Sequence, residues 1–551
     1  MEEIMRITRI IALTLAVMLY AGAVALAQGE YKTPQGAQPD KLGEVSFPVS
    51  CNAAAQKEFN HAMALFHSFW FDPAKKSFAR VLELDADCGM AHWGIAIMSM
   101  GNPFGWPPNS KSMKEGEAAL TAAQRMDAKS ARERDYISAL AGFFNKWETT
   151  DYRPRVLAFE KSMESMAEKY PDDIEAQILY ALLLDVTALS TDKTFANQLK
   201  AAAILEPLFK KYPDHPGVAH YLIHTYDYAE LAEKGVPAAR AFARIAPSVP
   251  HARHMPSHIF SRLGLWQDMI ESNRASYLAA KAELKEATLG IGTYDALHAL
   301  DYLVFAHLQM AQDKAAKQLV EEVRAISRVN VENFVAAYAF SAIPSRFSLE
   351  RGDWKQAAGL KLLPADLAWN KFPQAEAVLV FARALGAARS GDITAARKDV
   401  ERLKELREAM TAAKIDYWAG QTDFQITTVN AWIALTEKHP DEAVQLMRKA
   451  AEAEDASDKH PVTPGNVAPS RELLGEMFMT IKRPVEAFAE FERSLKRDPN
   501  RFRGVYGAAS AAEASGNLKA ARDYYTKLQT LAADSDTERP EIVQAKAFLA
   551  R

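Results

Sequence analysis

Apolar residues recur every three or four positions along almost the whole chain after residue 48. They lie in segments of roughly 12 to 20 residues that are rich in Ala, Leu, Glu and Lys, the pattern of helices with one buried face. Short breaks separate the segments, and three of them begin with Gly352, Gly391 and Gly516. We find no run with the strict alternation of a half-buried strand. The pattern predicts an all-α protein.

A longer period relates these segments to one another. In four places a small residue is followed 12, 16 and 19 positions later by residues suited to close helix packing, and two of the four are 34 positions apart. The four sets are Ala62, Ala74, Phe78 and Val81; Ser257, Met269, Asn273 and Ser276; Gly475, Ala487, Phe491 and Ser494; and Ala509, Ala521, Tyr525 and Leu528. This register resembles the tetratricopeptide repeat (TPR), a helix–turn–helix unit of 34 residues. It predicts a TPR-like α-solenoid, a right-handed superhelix of helical hairpins.

Longer strings extend the resemblance. The chain resembles a bacterial family of exported TPR proteins of undefined activity through LFHSFWFDPAKKSFARVLELDADCGMAHWG (65–94), RERDYI (132–137), HPGVAHYLIHTYDY (215–228), APSVPHARHMPSHIFSRLGLW (246–266) and ELLGEMFMTIKRPVEAFAEFERSLKRDPNRFRGVYGAA (472–509). The resemblance implies the solenoid fold and export, and it assigns no activity.

The N-terminus has the pattern of a secretory signal peptide. Arg6 and Arg9 precede an apolar run over 10–19, and the small residues Ala25 and Ala27 stand at −3 and −1 before a cleavage point after Ala27. No later apolar run is long enough to span a bilayer. We therefore expect a periplasmic or secreted protein with no transmembrane segment in the mature chain.

The breaks and register suggest a division of the chain into six parts. We predict a signal peptide at 1–27, a flexible leader at 28–48, N-terminal TPR units at 49–110, degenerate helical hairpins at 111–211, histidine-rich central TPR units at 212–330 and C-terminal TPR units at 331–551.

Two cysteines, Cys51 and Cys88, lie in the mature part of the chain. An exported protein with an even number of cysteines usually pairs them, so we predict a disulfide, with two buried thiols as the alternative. The net charge is −4 and we see no basic run, which argues against a nucleic-acid partner. A protein, peptide or small-molecule ligand is the expected partner of such a solenoid.

Histidines are concentrated in the middle of the chain. Eight of the thirteen lie between Pro213 and Met310: His215, His220, His224, His251, His254, His258, His298 and His307. Several are three or four residues apart, which places them on one face of a helix. Carboxylates are interleaved with them, at Asp227, Asp295 and Asp301.

This spacing gives the central hypothesis for a functional site. We predict one transition-metal site formed by His220, His224, Asp227, His254 and His258, with zinc, copper, nickel or iron as the metal that fits such nitrogen-rich ligands. Four further residues are predicted to contact a ligand in the groove: His251, Arg262, His298 and Asp301.

The position of Pro256 leaves two arrangements open. A helix that begins at Pro250 is kinked by Pro256 and keeps the histidines on one face. A helix that begins at Pro256 leaves His251 and His254 in the preceding loop, near a helix N-terminus that favours an anion.

Two functions are consistent with these residues. The leading interpretation is a binding or scaffold protein that holds a peptide, partner or small ligand in a histidine-lined concave groove. The alternative is a metal-dependent enzyme or metal carrier. A conventional metalloprotease is disfavoured because Tyr221 follows His220 where the glutamate of His-Glu-x-x-His would stand. A purely structural role, in which the histidines hydrogen-bond to their neighbours, stays open.

Overall fold

A computed structural model describes residues 41–105, 107–126, 129–189, 191–282 and 290–551. The predicted signal peptide at 1–27 and most of the predicted leader lie outside the described residues. Short turns, most of them of a few residues, connect α-helices throughout the described chain.

The helices of the N-terminal half are α1 (Ala53–His67), α2 (Phe71–Leu84), α3 (Gly89–Ser99), α4 (Ser110–Arg125), α5 (Ala131–Phe144), α6 (Tyr152–Lys169), α7 (Ile174–Thr187), α8 (Ala196–Lys211), α9 (Pro216–Thr225), α10 (Ala232–Ile245), α11 (Pro250–His254), α12 (Pro256–Leu263) and α13 (Trp266–Ala282). The later helices are α14 (Tyr294–Gln309), α15 (Asp313–Arg324), α16 (Phe334–Leu349), α17 (Trp354–Ala358), α18 (Pro373–Ser390), α19 (Ile393–Ala412), α20 (Asp416–Thr436), α21 (Pro440–Asp455), α22 (Ser470–Thr480), α23 (Pro484–Arg497), α24 (Phe502–Ala514), α25 (Leu518–Leu531) and α26 (Pro540–Leu549). Two 3-10 turns occur at Pro103–Gly105 and Trp369–Lys371.

Successive helices pack on one another as antiparallel hairpins along the chain. Most helices contact the next one, and several also contact the next but one, as α18 does with α20 and α22 does with α24. This nearest-neighbour packing defines a solenoid. The structure therefore confirms the all-α, TPR-like α-solenoid predicted from the sequence.

The residues that define the 34-residue register form the contacts between helices. All sixteen are buried. Phe491 of α23 shows why small residues are needed around it, because a Cβ atom would lie 2.8 Å from its ring at Gly475 of α22 and 2.3 Å from it at Gly507 of α24. Phe78 of α2 stands in the same relation to Gly94 of α3. In these two units the aromatic ring thus fills the space that glycine leaves in a neighbouring helix.

Contacts between distant repeats fold the solenoid back on itself. Helix α1 packs against α9, and α14 packs against α24. The first of these contacts brings the end of α1 to the histidine-rich helix α9, so the candidate site lies where two parts of the solenoid meet.

Two features refine the picture drawn from the sequence. Leu42 and Phe47 are buried, so the last part of the predicted leader packs against the core, in contrast to the flexibility expected there. Two strands of two residues, β1 (Ile291–Gly292) and β2 (Arg328–Val329), pair in parallel, a pairing that the helical pattern did not predict. Such short strands leave no alternating pattern to detect.

The predicted disulfide is present. Cys51 and Cys88 are joined, with their Cα atoms 5.3 Å apart, and the bond ties the segment before α1 to the start of α3. In the part of the chain that the structure describes, no helix combines the length and the apolar character needed to cross a bilayer.

Candidate metal centre

Six histidines from four helices form two adjacent groups, which we call the first and second triads. The first triad is His220, His224 and His251, from α9 and α11. The second triad is His254, His258 and His298, from α11, α12 and α14. In each triad one nitrogen from every ring lies within 4.8 Å of the other two. Rings of the two triads also approach each other, with centroids 6.0 Å apart for His224 and His258.

The Nε2 atoms of five of the six rings lie close to the Nε2 atom of another ring. In the first triad, Nε2 of His220 lies 3.2 Å from Nε2 of His224 and 3.2 Å from Nε2 of His251. In the second triad, the Nε2 atoms of His254 and His258 are 3.1 Å apart. Each triad is therefore a convergence of ring nitrogens, the arrangement in which imidazoles bind a transition metal.

The opposite ring nitrogen, Nδ1, is held by an oxygen in at least three of the six rings. Nδ1 of His220 donates to the carbonyl oxygen of His67 at 2.6 Å. Nδ1 of His258 donates to Oδ2 of Asp227 at 2.9 Å, and Nδ1 of His254 donates to Oδ1 of Asn273 at 2.7 Å. The amide of Asn273 is itself oriented, because its nitrogen donates to the carbonyl of Met269. A neutral ring that donates from Nδ1 carries its lone pair on Nε2, which faces the centre of the triad.

Each triad has its own aromatic neighbour, and that ring contacts all three imidazoles of the triad. Phe69 lies 4.4 to 5.9 Å, between ring centroids, from the members of the first triad, and Tyr302 lies 4.6 to 5.4 Å from those of the second. The Tyr302 hydroxyl donates to the carbonyl of Pro461. Phe69 has a φ of 53°, in the left-handed region that bulky residues seldom adopt, so its surroundings must hold it there.

Access to the two triads differs between their members. His220, His254 and His258 are each at most 2% exposed and His224 is 8% exposed. His251 and His298 are half-buried and form the accessible edge. Phe104, from the loop after α3, stacks on His224 with ring centroids 4.0 Å apart and covers it.

Asp227 lies behind the second triad in a buried network of charges. Besides His258, it accepts from Nε of Arg262 at 2.8 Å and from Nζ of Lys459 at 3.0 Å. Arg262 also pairs with Asp458. Asp458 pairs with Lys193 as well, so three basic groups surround the two carboxylates, and the loop between α21 and α22 supplies Asp458 and Lys459.

Burial dominates the protonation of this region. It lowers the pKa of all six triad histidines below 6.5, and neighbouring histidines lower it further in most of them. Burial also lowers the pKa of Lys459 to about 8, although Asp227 opposes this shift. Although burial raises the pKa of Asp227, Lys459 and Arg262 hold it well below 3.8. The triads are therefore neutral near pH 7, and Asp227 is ionised.

A third cluster, formed by His67, Glu175 and His215, is complete through hydrogen bonds alone. His215 caps α9 by accepting the N–H of Val218 at Nδ1, so its Nε2 donates to Glu175. His67 bonds to Glu175 through Nε2 and to the Tyr221 hydroxyl through Nδ1. The cluster fixes His67, whose carbonyl orients His220.

The structure rearranges the site that the sequence predicts. It brings together the predicted ligands His220, His224, His254 and His258, but it divides them between two triads instead of one site. His251 and His298, predicted to contact a ligand, complete those triads. Asp227 reaches Nδ1 of His258 and lies outside the ring of Nε2 atoms.

Two other predicted contacts are corrected. Asp301 does not face the histidines as a ligand contact, because it is fully buried in an ion pair with Arg346 of α16. Arg262 is likewise buried by its bonds to Asp227 and Asp458. Of the two arrangements around Pro256, the chain adopts the kinked one, since a first helix begins at Pro250 and a second at Pro256.

The sequence contained one signal that was overlooked. His254 and His258 follow His220 and His224 by 34 residues each, one TPR unit, so the two pairs are repeats of each other. Phe69, Asn273, Tyr302 and Lys459 were not identified as part of the site, and no local spacing marks them.

No protein-family model and no curated protein sequence matches this chain. Several solved structures are similar at low identity. Human IFIT1, in a dimer with PPP-AAAA, is 14% identical with a TM-score of 0.36, and the match covers 81% of this chain and 91% of that one. Yeast Tom70 is 14% identical with a TM-score of 0.27, covering 90% and 95% of the two chains. The APC/C hetero-tetramer Cut9-Hcn1 is 12% identical with a TM-score of 0.33, covering 90% and 81%.

Proposed function

We propose that this protein binds two transition-metal ions, one in each triad, and that the pair of ions is its functional centre. One observation carries the proposal. Nε2 atoms face each other in rings that donate a hydrogen bond from Nδ1. In the second triad both His254 and His258 donate from Nδ1 to oxygen. As neutral rings they direct two lone pairs at each other across 3.1 Å, an arrangement that a bound cation stabilises.

The separations suit a bound ion. Two nitrogens that bind one zinc-like ion at about 2.0–2.1 Å with tetrahedral angles lie about 3.3–3.4 Å apart. Three Nε2 pairs lie 3.1 or 3.2 Å apart, and the ligand nitrogens of each triad all lie within 4.8 Å of one another. The oxygen acceptors behind His220, His254 and His258 correspond to the outer partners that orient metal-binding histidines in general.

This proposal is favoured over a histidine-lined groove for a peptide or partner. Four of the six rings are at most 8% exposed, so an extended segment cannot reach them. The nitrogen donors fit zinc, copper, nickel or iron and do not fit calcium or magnesium.

The test counts metal ions in untagged protein after exposure to excess metal and dialysis. We expect two ions per chain in the parent. The double variants His220→Ala/His224→Ala and His254→Ala/His258→Ala should each retain one ion, because each removes two ligands from a different triad. The combined fourfold variant should retain none.

A matched control is His307→Ala, on the same helix as His298 but bonded to Gln312 outside the triads. It should retain two ions, whereas His298→Ala should weaken binding at the second triad. Circular dichroism should show that the variants remain helical. A parent that retains no metal, or double variants that retain as much as the parent, would refute the proposal.

We also propose that the protein is exported and loses residues 1–27. The charged start, the apolar run and the small residues before Gln28 support this. The Cys51–Cys88 bond is consistent with it, because such bonds persist in oxidising compartments. N-terminal sequencing of the protein from a fractionated host should begin at Gln28, and an intact Met1 or Met5 would contradict it.

A further inference from the structure

Because their ligands are neutral, the two triads restrict the charge of the metal ion that they can hold. All six donors are neutral imidazoles, and neither triad contains a carboxylate. Asp227, which bonds to His258, is already balanced by Arg262 and Lys459. Two divalent ions would bring four positive charges into this buried region, whereas two Cu(I) ions would bring two. Imidazole is a good ligand for copper, so the lower charge favours Cu(I).

The aromatic residues around the triads restrict which molecule can bind between the two ions. Phe69 and Tyr302 each contact every ring of one triad, and Phe104 covers His224. The accessible edge is formed by His251 and His298. A small, uncharged molecule enters such an aromatic environment at less desolvation cost than an anion does.

The hydrogen bonds also argue against hydrolytic chemistry. A metal-bound water that attacks a substrate generally needs a nearby group to accept its proton. Asp227 is the carboxylate bonded to the second triad, and its oxygens are occupied by His258, Arg262 and Lys459. A reaction that transfers electrons between the ions and a bound molecule requires no such base.

We propose, on the basis of the proposed two-metal function, that the triads hold a pair of Cu(I) ions that binds dioxygen between them as peroxide. Each Cu(I) gives one electron: two Cu(I) and one O₂ become two Cu(II) and one O₂²⁻, with no proton taken up or released. Dioxygen enters uncharged and becomes a dianion only between the ions. It therefore supplies the negative charge that the six neutral ligands lack.

The experiment loads the full mature chain with Cu(I) under anaerobic conditions and then adds dioxygen. We expect two Cu(I) per chain, uptake of one O₂ for every two Cu(I), and a new intense charge-transfer absorption band. Acid quenching, which supplies two protons, should release one H₂O₂ per O₂ taken up. Protein loaded with Zn²⁺ should bind two ions and take up no dioxygen.

The variants separate the possible failures. His254→Ala/His258→Ala should still bind one Cu(I) but should lose the band and the one-to-two uptake, while His307→Ala should behave as the parent. If the parent binds two Cu(I) and takes up no O₂, or takes it up in another ratio, the dioxygen proposal is wrong and the two-metal function stands. If the parent binds fewer than two ions of any transition metal, both are wrong.

Discussion

The two nitrogens of a histidine ring have different tasks in this protein. Nδ1 of His220, His254 and His258 donates to a carbonyl, an amide and a carboxylate oxygen, respectively, and Nε2 faces the other rings. A ring held in this way keeps its orientation and its tautomer without a bound ion, which would lower the reorganisation needed for the proposed metal binding.

Burial of neutral histidines makes the metal-free protein sensitive to acid. The unfolded chain binds protons below about pH 6.5, whereas the triad histidines resist protonation because their pKa is lowered in the folded state. The free energy of unfolding therefore keeps its full value above about pH 6.5. It decreases as the pH falls toward the pKa that these histidines have in the folded state. In that range each such histidine lowers the free energy of unfolding by up to about 1.4 kcal/mol for every pH unit of acidification.

Urea unfolding in the presence of a chelator at pH 7.5 and 5.5 measures this loss. His251→Gln/His298→Gln removes two half-buried rings and should show a smaller loss between the two pH values than the parent. His439→Gln, at an exposed residue, should show the parental loss. Equal losses in all three proteins would contradict the prediction.

At the scale of helices, the 34-residue register was the sequence feature that best predicted the packing. All sixteen residues that define it are buried between helices. These features depend on neighbours in the chain, which periodicity reports directly.

The composition of the site could be predicted only in part. The pairs His220/His224 and His254/His258 follow from helical spacing, but their division into triads depends on the kink at Pro256 and on the approach of α14. His67 lies 153 residues in sequence from its partner His220, and Lys459 lies 232 residues from its partner Asp227. Such contacts are fixed by the folding back of the solenoid and leave no local signal.

Helix packing offers its own test at Gly507. A methyl group added at Gly507 would lie 2.3 Å from the Phe491 ring, and Gly475 packs closely against the same ring. We expect Gly507→Ala to lower the unfolding free energy by about 1–3 kcal/mol through overpacking. Gly420→Ala, in α20 with nothing within 4 Å of the new atom, should be neutral or stabilise by up to about 1 kcal/mol through helix propensity. Equal effects in chemical denaturation would show that the close approach is not a constraint.

For the whole molecule, the solenoid can serve as a rigid support because parts that are distant in the sequence are held together. The disulfide fixes the segment before α1 to α3, α1 packs on α9, and the loop after α21 reaches Asp227 through Lys459. The triads are thus assembled from elements spread over most of the described chain, and their geometry depends on the closure of the superhelix.

The disulfide should contribute to this closure without forming part of the proposed metal centre. It spans 37 residues. By chain entropy, a bond closing a loop of that size stabilises the folded protein by roughly 3–4 kcal/mol. The Cys51→Ser/Cys88→Ser variant should therefore unfold at lower urea concentration, as measured by circular dichroism, while thiol titration of the unreduced parent detects no free thiol. Because the six histidines and their oxygen partners come from other elements, the variant should still retain two metal ions in dialysis under native conditions. Loss of the metal at unchanged stability would mean instead that the bond positions the triads directly.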